Sequence, residues 1–188
     1  MRVLAISGYK PHELAIYKED AKEIYFIQYA IKKRLLSLMD QGLEWVVISG
    51  QRGVEQWSAE VVFQLQDEGY PLQLAVLPPF LYQESIWQEE AQTRYIRILE
   101  RAHFTAPISN RSYESPLQLK VKNEFIIAKT DGILLLYSED QQGSPDYYLQ
   151  VAENRHEKDG YPIYLISPDD LQDAVYELSE TEEFDEER

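Results

Sequence analysis

The 188-residue sequence predicts a single α/β domain built on a mostly parallel sheet of five to six strands. Short apolar runs alternate along the chain with longer segments in which apolar residues recur every three or four positions, the spacing of an amphipathic helix. The connections are short, as they are when each helix returns the chain to a parallel strand. We therefore expect one three-layer domain over residues 1–176 and an acidic tail over 177–188.

Six short apolar segments are expected to form the strands of this sheet. They lie between turn residues and helical patterns, as buried strands do. Gly132–Tyr137 is the most apolar of them, which is typical of a central strand covered on both faces. The predicted strands in chain order are Val3–Ser7, Trp45–Ile48, Gln73–Leu77, a weaker segment at His103–Ile108, Gly132–Tyr137 and Ile163–Ile166.

Helical patterns fill the intervals between these strands. In the first pattern, apolar residues recur from Ile24 to Leu38 at helical spacing, and Gly42 marks the stop. Further helices are predicted from Val54 to about Leu65, from Glu84 to Arg101, from Leu117 to Lys129 and from Asp146 to Lys158.

Glycine-containing turns follow the first two predicted strands. Gly8 follows the first strand, and Ser49–Gly53 follows the second and leads directly into a helix. The carboxyl ends of parallel strands meet at one edge of a sheet, where open α/β proteins bind ligands. A turn at a helix N-terminus also presents backbone N–H groups to an anion, most often a phosphate. We therefore expect these turns to bind part of a nucleotide-like ligand.

The turn after the second strand supplies five candidate ligand-binding residues. Ser49, Gly50 and Gly53 are small, so the backbone can approach a ligand closely, although ordinary turn glycines look the same. Arg52 suits a phosphate because its guanidinium forms paired hydrogen bonds, unless it is simply solvated. Gln51 is a further donor to a phosphate or a base.

Glu55 is the candidate catalytic residue, and it is also a candidate for binding. An acid in the first turn of a helix is favoured by the macrodipole alone. Beside a phosphate, the same carboxylate suits ribose hydroxyls or general acid–base chemistry. In the neighbouring turn, Tyr9 offers a ring for stacking on a base and Lys10 a charge for a phosphate; the alternative is an exposed loop.

A polar loop before the fourth helix adds a second group of candidates. It contains Arg111, Tyr113 and Ser115, which we assign to ligand binding. The alternative for Ser115 is a capping role with Pro116 in the first helical position. Trp87, which follows the third strand, is a candidate to cover the pocket.

Composition argues against several other classes of protein. The chain has no cysteine and only three scattered histidines, so we expect no disulfide, no thiol chemistry and no metal site. No apolar run approaches membrane-spanning length, and we expect a cytoplasmic protein without a membrane partner. The net charge is −15; the last twelve residues, with seven acids and one base, leave about −9 for the body. Such a body disfavours nucleic acid as a partner.

Four separated segments resemble the YpsA family of Gram-positive bacteria. They are Ile6–Pro11, Ile48–Glu55, Tyr113–Gln118 and Asp131–Tyr137, and the likeness covers nearly the whole chain before the tail. The resemblance implies a Rossmann-like fold of the SLOG superfamily. It also implies a ligand such as NAD, ADP-ribose or a nucleotide sugar, held by loops at the strand carboxyl ends. The family is associated with bacterial cell division, so cell-division proteins are the implied partners.

Two related branches of the superfamily provide comparison motifs. Phosphoribohydrolases of the LOG type carry a Pro-Gly-Gly-x-Gly-Thr-x-x-Glu loop, and Ser138–Pro145 lacks this motif and its catalytic glutamate. The DNA-processing protein DprA carries Ser-Gly-x-Ala-Arg-Gly-Ile-Asp, which Ser49–Glu55 resembles.

Four hypotheses about function follow. The preferred one is a nucleotide-binding protein with a regulatory role linked to cell division. The others are an enzyme that hydrolyses an N-glycosidic or ribosyl bond with Glu55 as the acid/base, a DprA-like binder of single-stranded DNA, and a protein-interaction module with a vestigial pocket. The ligand, any reaction and the oligomeric state stay open at this stage.

Overall fold

The computed structural model describes the backbone of residues 1–186 and the side chains of residues 1–181. Within this part of the chain, six strands form one parallel sheet. They are β1 (Val3–Ser7), β2 (Trp45–Ile48), β3 (Gln73–Val76), β4 (Phe104–Thr105), β5 (Gly132–Leu136) and β6 (Ile163–Ile166). Their order across the sheet is β4-β3-β2-β1-β5-β6. The predicted α/β fold with a parallel sheet is confirmed.

Six α-helices accompany these strands in the described residues. They are α1 (Lys22–Met39), α2 (Val54–Asp67), α3 (Glu89–Arg101), α4 (Leu117–Lys129), α5 (Ser144–Asp159) and α6 (Pro168–Glu186). Short 3-10 helices at Pro11–Leu14 and Gln83–Ile86 lie in the connections after β1 and β3.

Helices cover both faces of the sheet because strand side chains alternate in direction. In β1, Leu4 and Ile6 belong to one core cluster, which includes Ile31 of α1. Ala5, between them, belongs to the other cluster, which includes Ile126 of α4. The strands are therefore buried on both sides, as their continuous apolar runs indicate.

The third helix starts later than its periodicity predicts. The segment Glu84–Arg101 is not one helix, because Gln83–Ile86 forms a 3-10 turn and α3 begins only at Glu89. Trp87 lies between them in an extended conformation, with φ −86° and ψ 160°. Its ring packs edge-on against Tyr95, with 5.3 Å between ring centroids. This tertiary contact breaks the helix and is invisible to local periodicity.

Helix α6, which the sequence patterns do not predict, packs on α1. It begins after Ser167, whose backbone N–H donates to Asp170 at 2.7 Å. Further along, Glu177 accepts hydrogen bonds from Tyr29 Oη at 2.9 Å and Lys33 Nζ at 2.7 Å. The domain boundary predicted at residues 176/177 therefore falls inside α6. From residue 182 onward, the side chains of the predicted tail lie outside the described residues.

Strand β1 lies where the chain changes direction across the sheet. It pairs with β2 on one side and with β5 on the other. The chain first builds β2, β3 and β4 on one side of β1 and then crosses to β5. In open parallel sheets, ligands bind outside the strand carboxyl ends at such a reversal.

Candidate functional site

A pocket of about 820 Å³ lies among the loops after β1, β2 and β3 and the loop before α4. Its polar lining includes Lys10, Gln51 and Arg52. Its aromatic lining comprises Phe80, Tyr82, Trp87 and Tyr113. Gln83, Ile86 and Leu119 also line the pocket.

The pocket brings together only part of the set predicted from sequence. Lys10, Gln51, Arg52 and Tyr113 line it, and Trp87 lies in its wall. The other predicted residues are outside the lining: Gly8, Tyr9, Ser49, Gly50, Gly53, Glu55, Arg111 and Ser115. Most of these hold the pocket loops in place, as their contacts show.

Glu55 is the centre of the hydrogen-bond network that joins the β1 and β2 turns. It is 1% exposed, and its carboxylate accepts four hydrogen bonds. Ser7 Oγ donates at 2.8 Å and Ser49 Oγ at 2.7 Å, and the backbone N–H groups of Ser49 and Gln51 donate at 2.9 and 3.1 Å. A buried carboxylate with this many donors is satisfied inside the protein. The contacts support a positioning role for Glu55.

The backbone of the β2 turn is also largely occupied by protein partners. Ser49 and Gln51 give their N–H groups to Glu55, and Val54 donates to Tyr9 O at 3.2 Å. The expected cradle of free backbone N–H groups is therefore reduced. The cationic side chains that line the pocket are those of Lys10 and Arg52.

Gly53 is required where the β1 and β2 turns meet. Its φ is +92°, a conformation that favours glycine, and a Cβ there would lie 2.4 Å from Tyr9 O and 2.9 Å from Lys10 Cα. A Cβ on Gly8 would lie 2.8 Å from Val54. These two glycines permit close approach between two protein segments. The sequence predicts that these glycines let the backbone approach a ligand closely. Close packing between the two turns is an alternative reason for them.

Gly50 has a comparable role toward the third loop. Its φ is +84°, and an added Cβ would lie 2.6 Å from Tyr95. Gln83 Nε2 joins the β2 turn to α3, because it donates to Ser49 O at 2.8 Å and to Tyr95 Oη at 3.0 Å. The 3-10 segment that carries the aromatic wall is thereby fixed to the β2 turn.

Tyr9 does not offer its ring for stacking. It is 2% exposed, and its hydroxyl donates to Gln141 O at 2.7 Å and accepts from Ser138 N at 3.1 Å. Burial raises the pKa of the Tyr9 phenol, and the hydrogen bond from Ser138 opposes that rise. The residue ties the β1 turn to the loop after β5.

The loop before α4 contributes one of its three predicted residues to the pocket. The Tyr113 ring lies 5.2 Å from that of Phe80, centroid to centroid. The Arg111 side chain is 74% exposed and pairs with Glu114 at 3.5 Å, outside the lining. No side-chain hydrogen bond caps the start of α4; the Ser115 backbone N–H donates to Gln118 Oε1 at 3.2 Å.

The aromatic wall is the part of the site that sequence patterns reveal least. Phe80 and Tyr82 follow β3, and Tyr82 adopts a left-handed conformation with φ 59° that begins the 3-10 turn. Ile86 is 89% exposed at the pocket. Their position just past a strand end is the one signal for them. Lys122 of α4, a buried base discussed below, has no such signal, because it occupies an ordinary helical position.

Two further classes of site find no support in the described residues. Within residues 1–181, no group of three or more histidine, aspartate or glutamate side chains is placed to hold a metal ion. No described helix is long and apolar enough to cross a membrane.

The fold and the position of the pocket define a Rossmann-like α/β protein with a pocket at the strand carboxyl ends. The chain belongs to the YpsA family. The model of this family, described as the YspA SLOG family, matches residues 4–171.

Relatives match over nearly their full lengths. The chain is 52% identical to the UPF0398 protein YpsA of Bacillus subtilis over 95% of this chain and 99% of the relative. It is 49% identical to a UPF0398 protein of Bacillus licheniformis over 97% of this chain and 100% of the relative. A UPF0398 protein of Halalkalibacterium halodurans is also 49% identical, with 92% and 91% covered.

A solved structure with a similar fold is DNA processing protein A from Helicobacter pylori. The TM-score is 0.53 at 14% sequence identity, over 87% of this chain and 64% of that one. That structure is described for its single-stranded DNA binding mode. At this identity the likeness supports the fold.

Proposed function

We propose that this protein binds a nucleotide-derived small molecule of the NAD, ADP-ribose or nucleotide-sugar class. The observation that carries the proposal is that cationic and aromatic side chains line the same pocket. Lys10 and Arg52 lie in its lining together with Phe80, Trp87 and Tyr113. A nucleotide needs both, since cations pair with its phosphates and aromatic rings stack on its base.

The size and position of the pocket support this class of ligand. Its volume of about 820 Å³ falls within the range of roughly 300–1,000 Å³ that small-molecule and cofactor sites occupy. It also lies at the carboxyl edge of the parallel sheet, beside β1 and on the side of β2 and β3, and this edge is where open α/β sheets bind ligands.

A regulatory role linked to bacterial cell division completes the proposal, and it rests on the family resemblance. The buried position of Glu55 favours binding over catalysis. As an acid/base, the carboxylate would have to release donors from Ser7, Ser49 or Gln51 that it holds inside the protein. Substituting a pocket residue in cells and measuring cell length tests the regulatory part.

A thermal-shift screen tests ligand binding. Purified protein is heated with NAD, ADP-ribose, AMP and nucleotide sugars, alongside Arg52→Gln and the matched control Arg111→Gln. A ligand that binds the folded state must raise the melting temperature. We expect a shift that is reduced in Arg52→Gln and kept in Arg111→Gln, since only Arg52 lines the pocket. No shift with any compound would instead favour the interaction module.

Single-stranded DNA is the second candidate ligand. The same combination of cations and aromatic rings suits an unpaired nucleotide, and the structural neighbour is described as binding single-stranded DNA. The net charge of −15 opposes a long polyanion. We expect no binding of a labelled oligothymidylate. Tight binding that weakens steeply as salt increases, and that is lost in Arg52→Gln, would favour this candidate.

A further inference from the structure

Lys122 is a buried lysine without a counter-ion among the described residues. It lies in the middle of α4 and is 4% exposed, whereas the neighbouring Lys120 and Lys129 are exposed. Its ammonium lies 4.5 Å from the centroid of the Tyr148 ring. No described carboxylate forms an ion pair with it. A buried charge is normally paired, so this one requires an explanation.

Lys122 lies in α4, one turn beyond a lining residue of the pocket, and is not itself in the lining. Leu119 lines the pocket and precedes Lys122 by three positions, which puts the two side chains on the same face of α4. Burial lowers the pKa of Lys122 to about 8; the charge of Glu55 opposes this, and the charge of Lys10 adds to it. Lys10 itself lines the pocket.

The nearby acid does not neutralise this cluster of bases. Glu55 is engaged by donors from Ser7, Ser49 and Gln51 and forms no ion pair with Lys122. Among the described residues, Glu55 is the one acid whose charge acts on the pKa of Lys122.

A second buried group at the pocket also has no partner. The side-chain amide nitrogen of Gln51 is inaccessible to solvent and makes no hydrogen bond within the described residues. Gln51 lines the pocket beside Lys10. An unsatisfied buried donor costs stability, so its presence at a pocket is explained by a partner that the pocket receives, such as a water, an ion or a ligand.

We propose that Lys122 and the Gln51 amide form an anion subsite for a phosphoryl group of the ligand. The inference rests on the proposed function, because it assigns the phosphate end of the nucleotide to the inner side of the pocket, near α4. The aromatic side of Phe80, Trp87 and Tyr113 is then left for the base. Both groups are donors, so the subsite favours a phosphate over a neutral sugar or an ammonium.

The test combines calorimetry with a direct measurement on the lysine. Wild type, Lys122→Met and the control Lys120→Met are titrated with AMP and with adenosine. In parallel, ¹³Cε-lysine NMR follows the Lys122 pKa with and without inorganic phosphate. Methionine is unbranched like lysine, one atom shorter and uncharged, and Lys120 is an exposed residue of the same helix. A melting curve of each variant verifies folding.

The subsite predicts that Lys122→Met weakens AMP binding by about ten-fold or more while adenosine binding is kept. It also predicts that phosphate raises the Lys122 pKa and that Lys120→Met changes neither result. Unchanged AMP binding in Lys122→Met would overturn the subsite and leave nucleotide binding standing. A phosphate response of Lys122 without binding of AMP or adenosine would keep the subsite and overturn the nucleotide. Absence of every response would overturn both.

Discussion

At the scale of single residues, Lys122 and Glu55 show how differently two buried charges are accommodated. Glu55 receives four hydrogen bonds, whereas the Lys122 ammonium lies over the Tyr148 ring without a described counter-ion. The first arrangement stabilises the fold and the second costs stability. A group retained at a cost in stability is more readily explained by binding than by folding.

Replacing Lys122 by methionine should stabilise the protein near neutral pH. The pKa of Lys122 is about 8 in the folded state and 10.5 as the reference value, so the charge costs on the order of 3 kcal/mol. Between about pH 8 and pH 10.5 the unfolded chain binds more protons than the folded protein, so the stability of the wild type rises with pH. The advantage of Lys122→Met should therefore shrink above about pH 8.

Urea unfolding of the wild type and Lys122→Met at about pH 7 and pH 9.5 measures this difference. In the wild type, the charges of Glu55 and Lys10 change the pKa of Lys122, and the Tyr148 ring contacts its ammonium. The two proteins share all their other titrating groups, so the difference between them at each pH isolates the contribution of Lys122. A Lys122→Met protein less stable than the wild type at neutral pH would show that the ammonium serves the fold.

Glu55→Gln should weaken ligand binding and stability together. The amide has one acceptor oxygen where the carboxylate has two, so donors from Ser7, Ser49 or Gln51 lose their partner. Each unsatisfied buried donor costs about 1–3 kcal/mol. Calorimetric titration and urea unfolding measure both effects, with the exposed Glu114→Gln as control. Unchanged binding and stability with loss of a product-forming reaction would instead identify Glu55 as the acid/base.

At the scale of elements, the turns after β1 and β2 act as one unit. Gly53 lies against the backbone of Tyr9 and Lys10, and the hydrogen bonds of Glu55 join Ser7 to Ser49. Two donors of the pocket lining, Lys10 and Arg52, belong to these turns. A change in this contact should therefore disturb the pocket.

Gly53→Ala should destabilise the protein more than Gly42→Ala. Both glycines have positive φ, +92° and +96°, but a Cβ at position 53 would lie 2.4 Å from Tyr9 O, whereas position 42 has nothing within 4 Å. Backbone strain alone costs about 1 kcal/mol, and the close contact adds to it only at position 53. Urea unfolding measures both costs. Equal losses in the two variants would mean that the turns do not depend on this contact.

The elements also show what periodicity predicts and what it cannot. The bounds of β1, β2 and α4 follow directly from their patterns. The break before α3 depends on Trp87 packing against Tyr95, a tertiary contact that local patterns do not contain. In α4, Lys122 is buried while Leu117 is exposed, the reverse of the usual amphipathic arrangement. Polarity alone therefore misplaces the faces of this helix.

At the scale of the whole molecule, the sheet brings distant residues to one edge. Lys10 follows β1, Arg52 follows β2, Phe80 follows β3 and Tyr113 precedes α4, yet all four line one pocket. The sequence predicts this edge because parallel strands share their carboxyl ends. It does not predict which loop residues face the pocket, and Tyr9, Glu55 and the glycines prove to be internal contacts.

Tryptophan indole signals provide the most direct test that the pocket binds a nucleotide. The chain has three tryptophans in different places: Trp87 lines the pocket, Trp57 is buried in α2, and Trp45 begins β2 at the opposite edge of the sheet. ADP-ribose is added to ¹⁵N-labelled protein, and the indole N–H signals are followed by NMR. We expect the Trp87 signal to move strongly and the Trp45 signal to stay. A Trp87 signal that stays at saturating ligand, or a shift at Trp45 alone, would contradict binding in this pocket.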